Sequence, residues 1–250
     1  MIPFSVVIIS KNEAATIIPC LESVAALADE IVVLDSGSTD GTQAVCAAHG
    51  ARVIDTDWPG FGVQKQRAVD AARNDWVLCL DADERVSPAL ADSLKQALVA
   101  PQFRAFRFAR ANRFLGRYLR HGEGYPDWSL RLFDRRAARW SADAVHEKVV
   151  CEAPVGTLAG DLLHDSAETL ENYLTKQNRY TSLAADMAGS DGRPVSVGRL
   201  IASPLLRFIK FYFLRRGFLD GLPGLVHIAI GCFNSFVKYA KIRERQLRRG

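Results

Sequence analysis

Short apolar runs alternate with longer alanine-rich runs over the first hundred residues. Four apolar runs are nearly continuous, as is typical of strands buried on both faces of a parallel sheet; they cover residues 4–9, 30–34, 51–54 and 76–80. The runs between them predict helices near 14–27, 41–49 and 63–73. This β-α-β-α-β-α-β order indicates an α/β fold with a mainly parallel central sheet.

Two local signals predict helix ends in this half. Gly50 follows the second helix at the position where a left-handed residue commonly ends a helix. Ser87 followed by Pro88 is typical of an N-cap and a first helical residue, so we expect a fourth helix from there to about Val99.

The pattern becomes less regular after residue 101. Strands are predicted near 129–133 and 147–151, and a long helix is predicted from Glu168 to Met187. Gly189, Gly192 and Pro194 then indicate a linker. We therefore expect a first domain over 1–190, with halves at 1–100 and 101–190, and a helical tail over 195–250.

Composition and charge separate this tail from the rest. The chain has 250 residues, of which 48% are hydrophobic, and a formal charge of +4. Residues 195–250 carry eleven Lys or Arg against two acids, whereas residues 1–194 carry twenty-one against twenty-six. The tail is also apolar around Leu205 to Tyr212, which favours a helix at an anionic membrane surface over a nucleic-acid partner. Packing of the tail helices on the first domain, with only their basic faces exposed, is the alternative.

The cysteines and the N-terminus bear on the compartment. The five cysteines are scattered without a Cys-x-x-Cys pair, as expected in a reducing cytosol. The apolar opening lacks a basic leader and is interrupted at Lys11, which favours a first strand over a signal peptide. We expect a cytoplasmic protein, peripheral at the inner face of the cytoplasmic membrane. In the tail, residues 221–237 form seventeen uncharged positions, just short of the roughly 20 of a spanning helix.

An acidic cluster, Asp81-Ala82-Asp83-Glu84, follows the fourth predicted strand. Carboxylates at the carboxyl end of a parallel strand face the crevice where α/β sheets bind ligands. Asp81 and Asp83 are suited to a hard divalent cation such as Mg²⁺ or Mn²⁺, which also binds diphosphate oxygens. A solvated turn before a helix is the alternative reading.

Two further polar loops lie at the same predicted edge. Asp35 begins the run Asp-Ser-Gly-Ser-Thr-Asp-Gly-Thr after the second strand, and its carboxylate suits a base imide or a ribose hydroxyl. The remainder of that run favours an Asx-type turn with Asp40 as a helix N-cap. Ser10-Lys11-Asn12-Glu13 follows the first strand, so three loops converge.

Together these motifs resemble the family 2 glycosyltransferases with the GT-A nucleotide-binding fold. The resemblance rests on Val6-Val7-Ile8-Ile9 with Asn12-Glu13, the Asp35 turn and the Asp-x-Asp motif. The runs at 60–66 and 76–84 are similar to a bacterial branch containing β-1,4-glucosyltransferases that act on lipopolysaccharide inner-core heptose. The resemblance covers most of residues 4–185.

The resemblance implies roles for individual residues. It implies Glu13 and Asp35 for the nucleoside, Lys65 near the donor phosphates and Asp81 beside the ribose or diphosphate. Metal ligands are implied at Asp83, the principal one, and His164. A solvated lysine and a buried or capping histidine are the alternative interpretations of Lys65 and His164.

An inverting transfer also needs a base that deprotonates the acceptor hydroxyl. Related enzymes use a carboxylate in the second half, and Val145-His146-Glu147-Lys148 is similar to that segment. We choose Glu147, with Asp143 and Asp127 as substitutes. An exposed glutamate at a strand edge, paired with Lys148 or an arginine, is the alternative.

Six arginines between residues 104 and 120 suit a phosphorylated acceptor, or else form a solvated polar face; they are Arg104, Arg107, Arg110, Arg113, Arg117 and Arg120. Residues 121–126 depart from the family pattern, where a Gly-Gly-Trp-like run is commoner, so the acceptor stays open.

The sequence thus predicts an inverting hexosyltransferase that uses a UDP-sugar, with glucose favoured, and a lipid-linked glycan acceptor. Alternatives are a polyprenyl-phosphate glycosyltransferase, a sugar nucleotidyltransferase and a non-catalytic module that binds acidic surfaces. The glycine-rich loop of nucleotidyltransferases and the Gly-x-Gly-x-x-Gly of dinucleotide oxidoreductases do not follow the first strand.

Overall fold

A computed structural model describes residues 1–143, 147–166, 169–189 and 195–249. The chain divides into two compact units. The first contains residues 1–111 and 127–165, and the second contains residues 112–126 and 166–250. The domains expected from the sequence, 1–190 and 195–250, were also assigned functions, and that division stays a prediction.

The first part of the first unit is a parallel sheet with its connecting helices. The elements are β1 (Phe4–Ser10), α1 (Ile17–Val24), β2 (Glu30–Asp35), α2 (Thr42–Ala48), β3 (Arg52–Asp55), α3 (Phe61–Ala71) and β4 (Trp76–Asp81). Their order in the sheet is β3-β2-β1-β4, and every neighbouring pair is parallel. The predicted β-α order is confirmed, with boundaries that differ by one to three residues.

Two helix ends follow the local chemistry of the chain. Gly50 has a φ of +79° just after α2, as predicted. The Ser87 hydroxyl accepts a hydrogen bond from Leu90 N at 3.3 Å and caps the fourth helix. The prediction that Asp40 is the N-cap of α2 is wrong in detail, because Gly41 occupies that position. Asp40 precedes the N-cap by one residue, and its carboxylate accepts a hydrogen bond from Thr42 N at 3.0 Å.

Most of the remaining strands extend the sheet with antiparallel pairs, and two of them form a small sheet of their own. The elements follow in chain order. They are β5 (Glu84–Val86), α4 (Pro88–Ala97), β6 (Ala105–Phe114), β7 (Arg117–Tyr118), β8 (Asp127–Asp134), β9 (Ala138–Trp140), β10 (Val149–Cys151) and β11 (Val155–His164). The order along the main sheet is β3-β2-β1-β4-β8-β6-β11-β5, β7 pairs with β6 beside this path, and β9 and β10 form a separate two-stranded sheet. Strands β4 and β6 flank β8 antiparallel to it, and β11 pairs antiparallel with β5. The α/β fold class predicted from the sequence is confirmed.

Apolar side chains cover both faces of this sheet. Along β1, Val6 and Ile8 belong to one buried cluster, whereas Val7 and Ile9 belong to another. Successive side chains of a strand point to opposite faces, so a continuously apolar strand must be covered on both. The polar ends of these strands are therefore the places where ligand chemistry is available.

The β6–β8 ladder contains a register shift that positions one arginine. Phe106 pairs with Leu132, but Arg107 pairs with Leu130. Arg131 is therefore the extra residue of a β-bulge, a device that re-aims a side chain and recurs beside active sites.

The second unit is mostly helical. After the hairpin of β6 and β7 it contains α5 (Leu170–Gly189), α6 (Val197–Phe208), a π-helical segment (Ile209–Leu214), a 3-10 turn (Gly217–Asp220) and α7 (Gly221–Arg249). The predicted long helix corresponds to α5. Glu168, Gly192 and Pro194, which were also part of these predictions, lie outside the described residues.

Buried polar contacts tie residues 112–126 to the helices within this unit. Asp220 is buried, and its carboxylate accepts from Arg120 N at 3.0 Å and from His121 N at 2.8 Å. Arg207 Nε donates to Glu123 Oε2 at 3.0 Å. No helix of the described chain has both the length and the apolar content to cross a bilayer.

Candidate active site

Three strand ends meet at one edge of the parallel sheet. β1 lies between β2 and β4, with Ser10 opposite Asp35 and Ile9 opposite Asp81. The loops that follow these strands therefore begin side by side, as the sequence predicts. Asp35 and Asp81 are the last residues of their strands rather than the first residues of the loops.

Asp35 organises the loop after β2. Its buried carboxylate accepts from Ser10 Oγ at 2.9 Å, Ser38 N at 2.8 Å, Ser38 Oγ at 2.5 Å and Gln43 Nε2 at 2.7 Å. Burial opposes ionisation, but the hydrogen bonds from Ser38 and Gln43 outweigh it and hold the pKa of Asp35 below its ordinary value. Asp35 thus fixes the loop geometry as an anion; its role toward a nucleoside stays a prediction.

The loop containing Glu13 is joined to the same turn. Asn12 N donates to Ser38 Oγ at 2.8 Å, and Glu13 N donates to Thr42 Oγ1 at 2.8 Å. The Glu13 carboxylate accepts from the Thr16 hydroxyl at the start of α1. These backbone contacts make the first two loops one connected surface.

Lys65 connects two of the predicted site residues. It projects from α3, is almost fully buried, and its Nζ lies 3.0 Å from Asp81 Oδ1 and 3.2 Å from Glu147 Oε1. Its ammonium also lies 4.8 Å from the centre of the Trp140 ring. The alternative interpretation of Lys65 as a solvated lysine is therefore wrong.

Asp81 is held ionised by two cations. Arg131 Nη2 lies 2.8 Å from Asp81 Oδ2, and Lys65 Nζ lies 3.0 Å from Oδ1 of the same carboxylate. Desolvation by burial raises the pKa of Asp81, but Arg131 and Lys65 together outweigh it and bring that pKa well below the ordinary range. A half-buried carboxylate between two cations stays charged at every physiological pH.

Glu84 forms ion pairs with two arginines, Arg110 and Arg131. It is fully buried, its Oε2 accepts from Asp81 N at 3.0 Å, and its Oε1 lies 3.2 Å from Arg131 Nη2 and 3.3 Å from Arg110 Nη1. Arg110 in turn contacts Asp127 at 2.8 Å. Asp127, one of the substitutes for the base, is thus held in an ion pair.

Gly62 permits the close approach of the segment that contains Glu147. A Cβ at Gly62 would overlap the carbonyl oxygen of Ser141 and would lie 3.2 Å from Glu147 Cβ. Glycine on the first turn of α3 is therefore required for the contact between Lys65 and Glu147. Val145 and His146, which belong to the predicted segment, lie outside the described residues. Asp143 is described and exposed.

Asp83 and His164 form a second pair on this edge. Because β11 pairs with β5, His164 lies opposite Glu84, and its Nε2 is 3.1 Å from Asp83 Oδ2. Carboxylates suit Mg²⁺ and Mn²⁺ and imidazole suits transition metals, so this donor pair fits Mn²⁺ better than Mg²⁺. Among the described residues no group of three or more His, Cys, Asp or Glu converges on a metal position. The remaining ligands would have to come from a bound molecule or water.

An open cavity of about 340 Å³ lies in front of Asp81. It is lined by Lys65, Asp81, Arg110, Trp128, Ser129, Leu130, Arg131, Trp140, Glu147, Lys148 and Val149. Among the six arginines singled out in the sequence, only Arg110 lines it. Arg104 pairs with Asp134 at 2.9 Å and Arg107 lies over the Trp128 ring, while Arg113, Arg117 and Arg120 belong to the second unit.

Sequence reasoning missed Arg131, Glu84 and Trp140. Glu84 was visible as the end of the acidic cluster, but its burial depends on the antiparallel strand β11. Arg131 had no signal of its own, because its direction depends on a bulge in a pairing between strands distant in sequence. Trp140 lies on the short strand β9, outside every predicted element.

The comparison with protein families agrees with this geometry. A family model described as glycosyl transferase family 2 matches residues 5–153, which is more than half of the chain. The chain belongs to this family. It is therefore a glycosyltransferase, and the resemblance drawn from the sequence is confirmed.

Family 2 relatives extend over the whole chain. The lipopolysaccharide core biosynthesis glycosyltransferase LpsC of Rhizobium meliloti (strain 1021) is 33% identical over 256 residues, covering 98% of this chain and 93% of LpsC. An uncharacterized glycosyltransferase of Rickettsia felis is 32% identical, covering 98% and 90%. The sequence similarity to these relatives therefore includes the second unit.

A solved structure matches over a shorter length. Glucosyl-3-phosphoglycerate synthase from Mycobacterium tuberculosis, in complex with Mn²⁺, UDP and glucosyl-3-phosphoglycerate, is 31% identical over 44% of this chain and 44% of that chain. The TM-score is 0.38. A likeness of this extent is too limited to transfer those ligands to this family 2 enzyme.

Proposed function

We propose that the chain is a metal-dependent, inverting hexosyltransferase that moves glucose from UDP-glucose to a lipopolysaccharide inner-core heptose or a similar lipid-linked glycan. Family 2 membership and the likeness to LpsC support glycosyl transfer in lipopolysaccharide synthesis. The donor and the acceptor are our inference from the site and from the resemblance of its motifs. A polyprenyl phosphate is the alternative acceptor.

The contact of Lys65 with both Asp81 and Glu147 carries this proposal. It brings a cation suited to donor phosphates within reach of a carboxylate suited to deprotonating an acceptor. Both groups line the same cavity, so a donor and an acceptor bound there would meet in front of Glu147. Transfer requires this arrangement, because the base must reach the acceptor hydroxyl while the leaving diphosphate is stabilised.

In the proposed reaction Glu147 accepts the proton of the acceptor hydroxyl. The acceptor oxygen forms a bond to the anomeric carbon as the bond from that carbon to the diphosphate oxygen breaks. The nucleotide diphosphate leaves with the electron pair, and Lys65 offsets part of its charge. Attack opposite the leaving group inverts the anomeric configuration.

Asp83 and His164 would hold the divalent metal in this account. When bound, the metal would neutralise charge on the donor diphosphate as a Lewis acid. Asp81 would contact the ribose or the diphosphate, and Glu13 and Asp35 would form the nucleoside side of the site. The hydrogen bonds between the first two loops support a preformed nucleoside surface.

We also propose that the tail associates with the anionic inner face of the cytoplasmic membrane. Large apolar side chains are exposed along α6, the π-helical segment and the start of α7, among them Leu205, Leu206, Ile209, Phe213, Leu214 and Leu222. Lys210, Arg215 and Arg216 lie in the same stretch, and such cations are attracted to anionic headgroups. A lipid-linked acceptor would be presented at that surface.

A donor screen with the purified full-length protein tests the proposal. Release of free nucleoside diphosphate is followed for UDP-, GDP- and dTDP-sugars with Mn²⁺, with Mg²⁺ and with excess chelator. We expect release from UDP-glucose that depends on the metal. Release of pyrophosphate from a sugar phosphate and a nucleoside triphosphate would instead show a nucleotidyltransferase, and transfer to a polyprenyl phosphate would replace the heptose acceptor.

A further inference from the structure

Two aromatic side chains lie exposed beside the site, on the loop and the first turn that lead into α3. We propose that Trp58 and Phe61 form a platform on which a pyranose ring of the acceptor packs. The C–H groups of the sugar contact the aromatic rings, and a hydroxyl of the acceptor reaches Glu147. This inference rests on the proposed function, in which Glu147 is the base, and it names a specificity-determining contact on the acceptor side.

Both rings are accessible to a ligand. Trp58 is 42% exposed and Phe61 is 55% exposed, and Pro59 and Val63 beside them are also exposed. The two rings contact each other edge to face, with their centres 4.8 Å apart and their planes at 90°. Single exposed apolar residues are ordinary on a protein surface, but an exposed patch of adjacent apolar residues beside a functional site indicates a binding surface.

Measured contacts connect this aromatic pair to the candidate base. The centre of the Phe61 ring lies 6.0 Å from Lys65 Nζ, and that ammonium lies 3.2 Å from Glu147 Oε1. Gly62, the residue after Phe61, packs so closely on the segment of Glu147 that an added Cβ would lie 3.2 Å from Glu147 Cβ. The pair therefore borders the place where the acceptor hydroxyl must arrive.

The loop before α3 is held in place without a ligand. Thr56 N donates to the Asp35 carbonyl at 2.8 Å, and Thr56 Oγ1 accepts from Gln64 Nε2 at 2.5 Å. Asp57 pairs with Arg67 at 2.6 Å. These contacts fix the residues on either side of the two rings, so little ordering is needed when a sugar binds.

The chemistry and the position of the pair suit a sugar of the acceptor. The C–H groups of a pyranose carry slight positive charge and pack on the negative face of an aromatic ring. A nucleobase also stacks on aromatic rings, but the nucleoside is assigned to the loops that contain Glu13 and Asp35. The side-chain contacts of Phe61 instead lead through Lys65 to Glu147.

Binding of a heptose-containing inner-core oligosaccharide to the full-length protein tests the inference. Saturation-transfer NMR with irradiation of aromatic protons measures this binding at saturating UDP and Mg²⁺, and calorimetry measures UDP binding in the same samples. We expect the oligosaccharide to bind while UDP is present and to receive saturation at its ring C–H protons. Failure of the oligosaccharide to bind, or its displacement by UDP, would overturn the platform. Wild-type protein that does not bind UDP would contradict the proposed function instead.

Matched substitutions separate the platform from a general effect of losing an aromatic ring. Trp58→Leu and Phe61→Leu keep an apolar side chain but remove the ring, and each should weaken oligosaccharide binding by about threefold to tenfold. Trp58→Phe should recover most of the affinity. Phe103→Leu is the control, since Phe103 is 38% exposed and its ring packs on the core residue Phe106. An equal loss in Phe103→Leu would contradict the platform.

The affinity of these variants for UDP decides which ligand uses the rings. We expect the dissociation constant of UDP to be unchanged in Trp58→Leu and Phe61→Leu. A loss of UDP affinity as large as the loss of oligosaccharide affinity would assign the rings to the nucleobase and overturn the proposal. Both side chains are largely exposed, so the urea unfolding midpoints should stay close to that of the wild type and show that the variants are folded.

Discussion

Lys65 Nζ lies 3.2 Å from Glu147 Oε1, although 82 residues separate the two along the chain. The same ammonium lies 3.0 Å from Asp81 at the end of β4. One buried cation thus joins the Asp-x-Asp motif of the first half to the candidate base of the second. This contact depends on Gly62, which lets the segment before Glu147 approach α3.

Gly62→Ala should therefore impair turnover more than folding. The new Cβ would displace the Ser141 carbonyl and move Glu147, and a displacement of about 1 Å can cost about a hundredfold in rate. The overpacking should cost about 1–3 kcal/mol of unfolding free energy. Steady-state kinetics and urea unfolding measure the two effects.

Gly198→Ala is the matched control for this substitution. Gly198 lies in α6, where a Cβ meets only the Ser196 hydroxyl at 3.9 Å. Helical alanine should stabilise the protein slightly and leave turnover unchanged. Normal turnover in Gly62→Ala would show that the approach of this segment is not required.

The metal assignment predicts unequal losses at its two ligands. Asp83→Ala should abolish stimulation by Mn²⁺, because it removes the principal anionic ligand. His164→Ala should weaken the Mn²⁺ dependence more modestly, with activity recovered at higher Mn²⁺. Activity measured across Mn²⁺ concentrations and in excess chelator checks this order, with the exposed His49→Ala as control. A folded Asp83→Ala protein with wild-type Mn²⁺ dependence would contradict the site.

The elements of the parallel part of the sheet, residues 4–81, could largely be predicted from the sequence. The antiparallel strands that follow could be predicted less well. The strands ending at Asp35 and Asp81 are apolar runs closed by polar residues, and such a signal is local. The position of Arg131 depends on the pairing of β6 with β8 and on a bulge, which no local pattern encodes. The contact of Lys65 with Glu147 likewise depends on packing of distant segments. The roles assigned to these residues stay predictions until they are measured.

Asp35 predicts how stability depends on pH. Its pKa is held below the ordinary value, so its ionised form adds stability that is present above about pH 4, the unfolded value, and is lost as the pH falls through the folded pKa. Asp35→Asn should cost about 1–3 kcal/mol at pH 7, because charged hydrogen bonds to Ser38 are weakened. The difference from wild type should shrink below about pH 4.

Urea unfolding at pH 7 and at pH 3.5 measures this dependence. Asp57→Asn serves as the control, since its carboxylate is exposed and pairs with Arg67 at the surface. We expect Asp57→Asn to match wild type at both pH values. A constant difference between wild type and Asp35→Asn would show that ionised Asp35 does not stabilise the loop.

The tail predicts binding to anionic vesicles. Leu206→Gln and Leu214→Gln replace two of the most exposed apolar side chains of the second unit. Each should weaken binding about tenfold to a hundredfold, since burying a leucine contributes about 1.5–3 kcal/mol. Val99→Gln changes an exposed apolar residue of the first unit and should have no effect. Flotation with phosphatidylglycerol vesicles at low salt measures this. Full-length protein that ignores these vesicles would contradict membrane association.

The central claim is that Glu147 is the base of a transfer from a nucleoside diphosphate sugar. Glu147→Gln keeps the shape of the side chain but cannot accept the proton. Asp143→Asn and Asp127→Asn remove the neighbouring carboxylates and serve as controls. All three proteins must still bind UDP for the comparison to report on the base.

The most direct measurement is the rate of UDP release from UDP-glucose with saturating Mn²⁺ in wild type and Glu147→Gln, together with the dissociation constant of UDP. We predict a rate lower by about a hundredfold to ten-thousandfold in Glu147→Gln, with UDP bound at least as tightly, because the substitution frees Lys65 from a competing carboxylate. A Glu147→Gln rate equal to wild type, with a loss in Asp143→Asn or Asp127→Asn instead, would contradict the assignment and move the base to that residue.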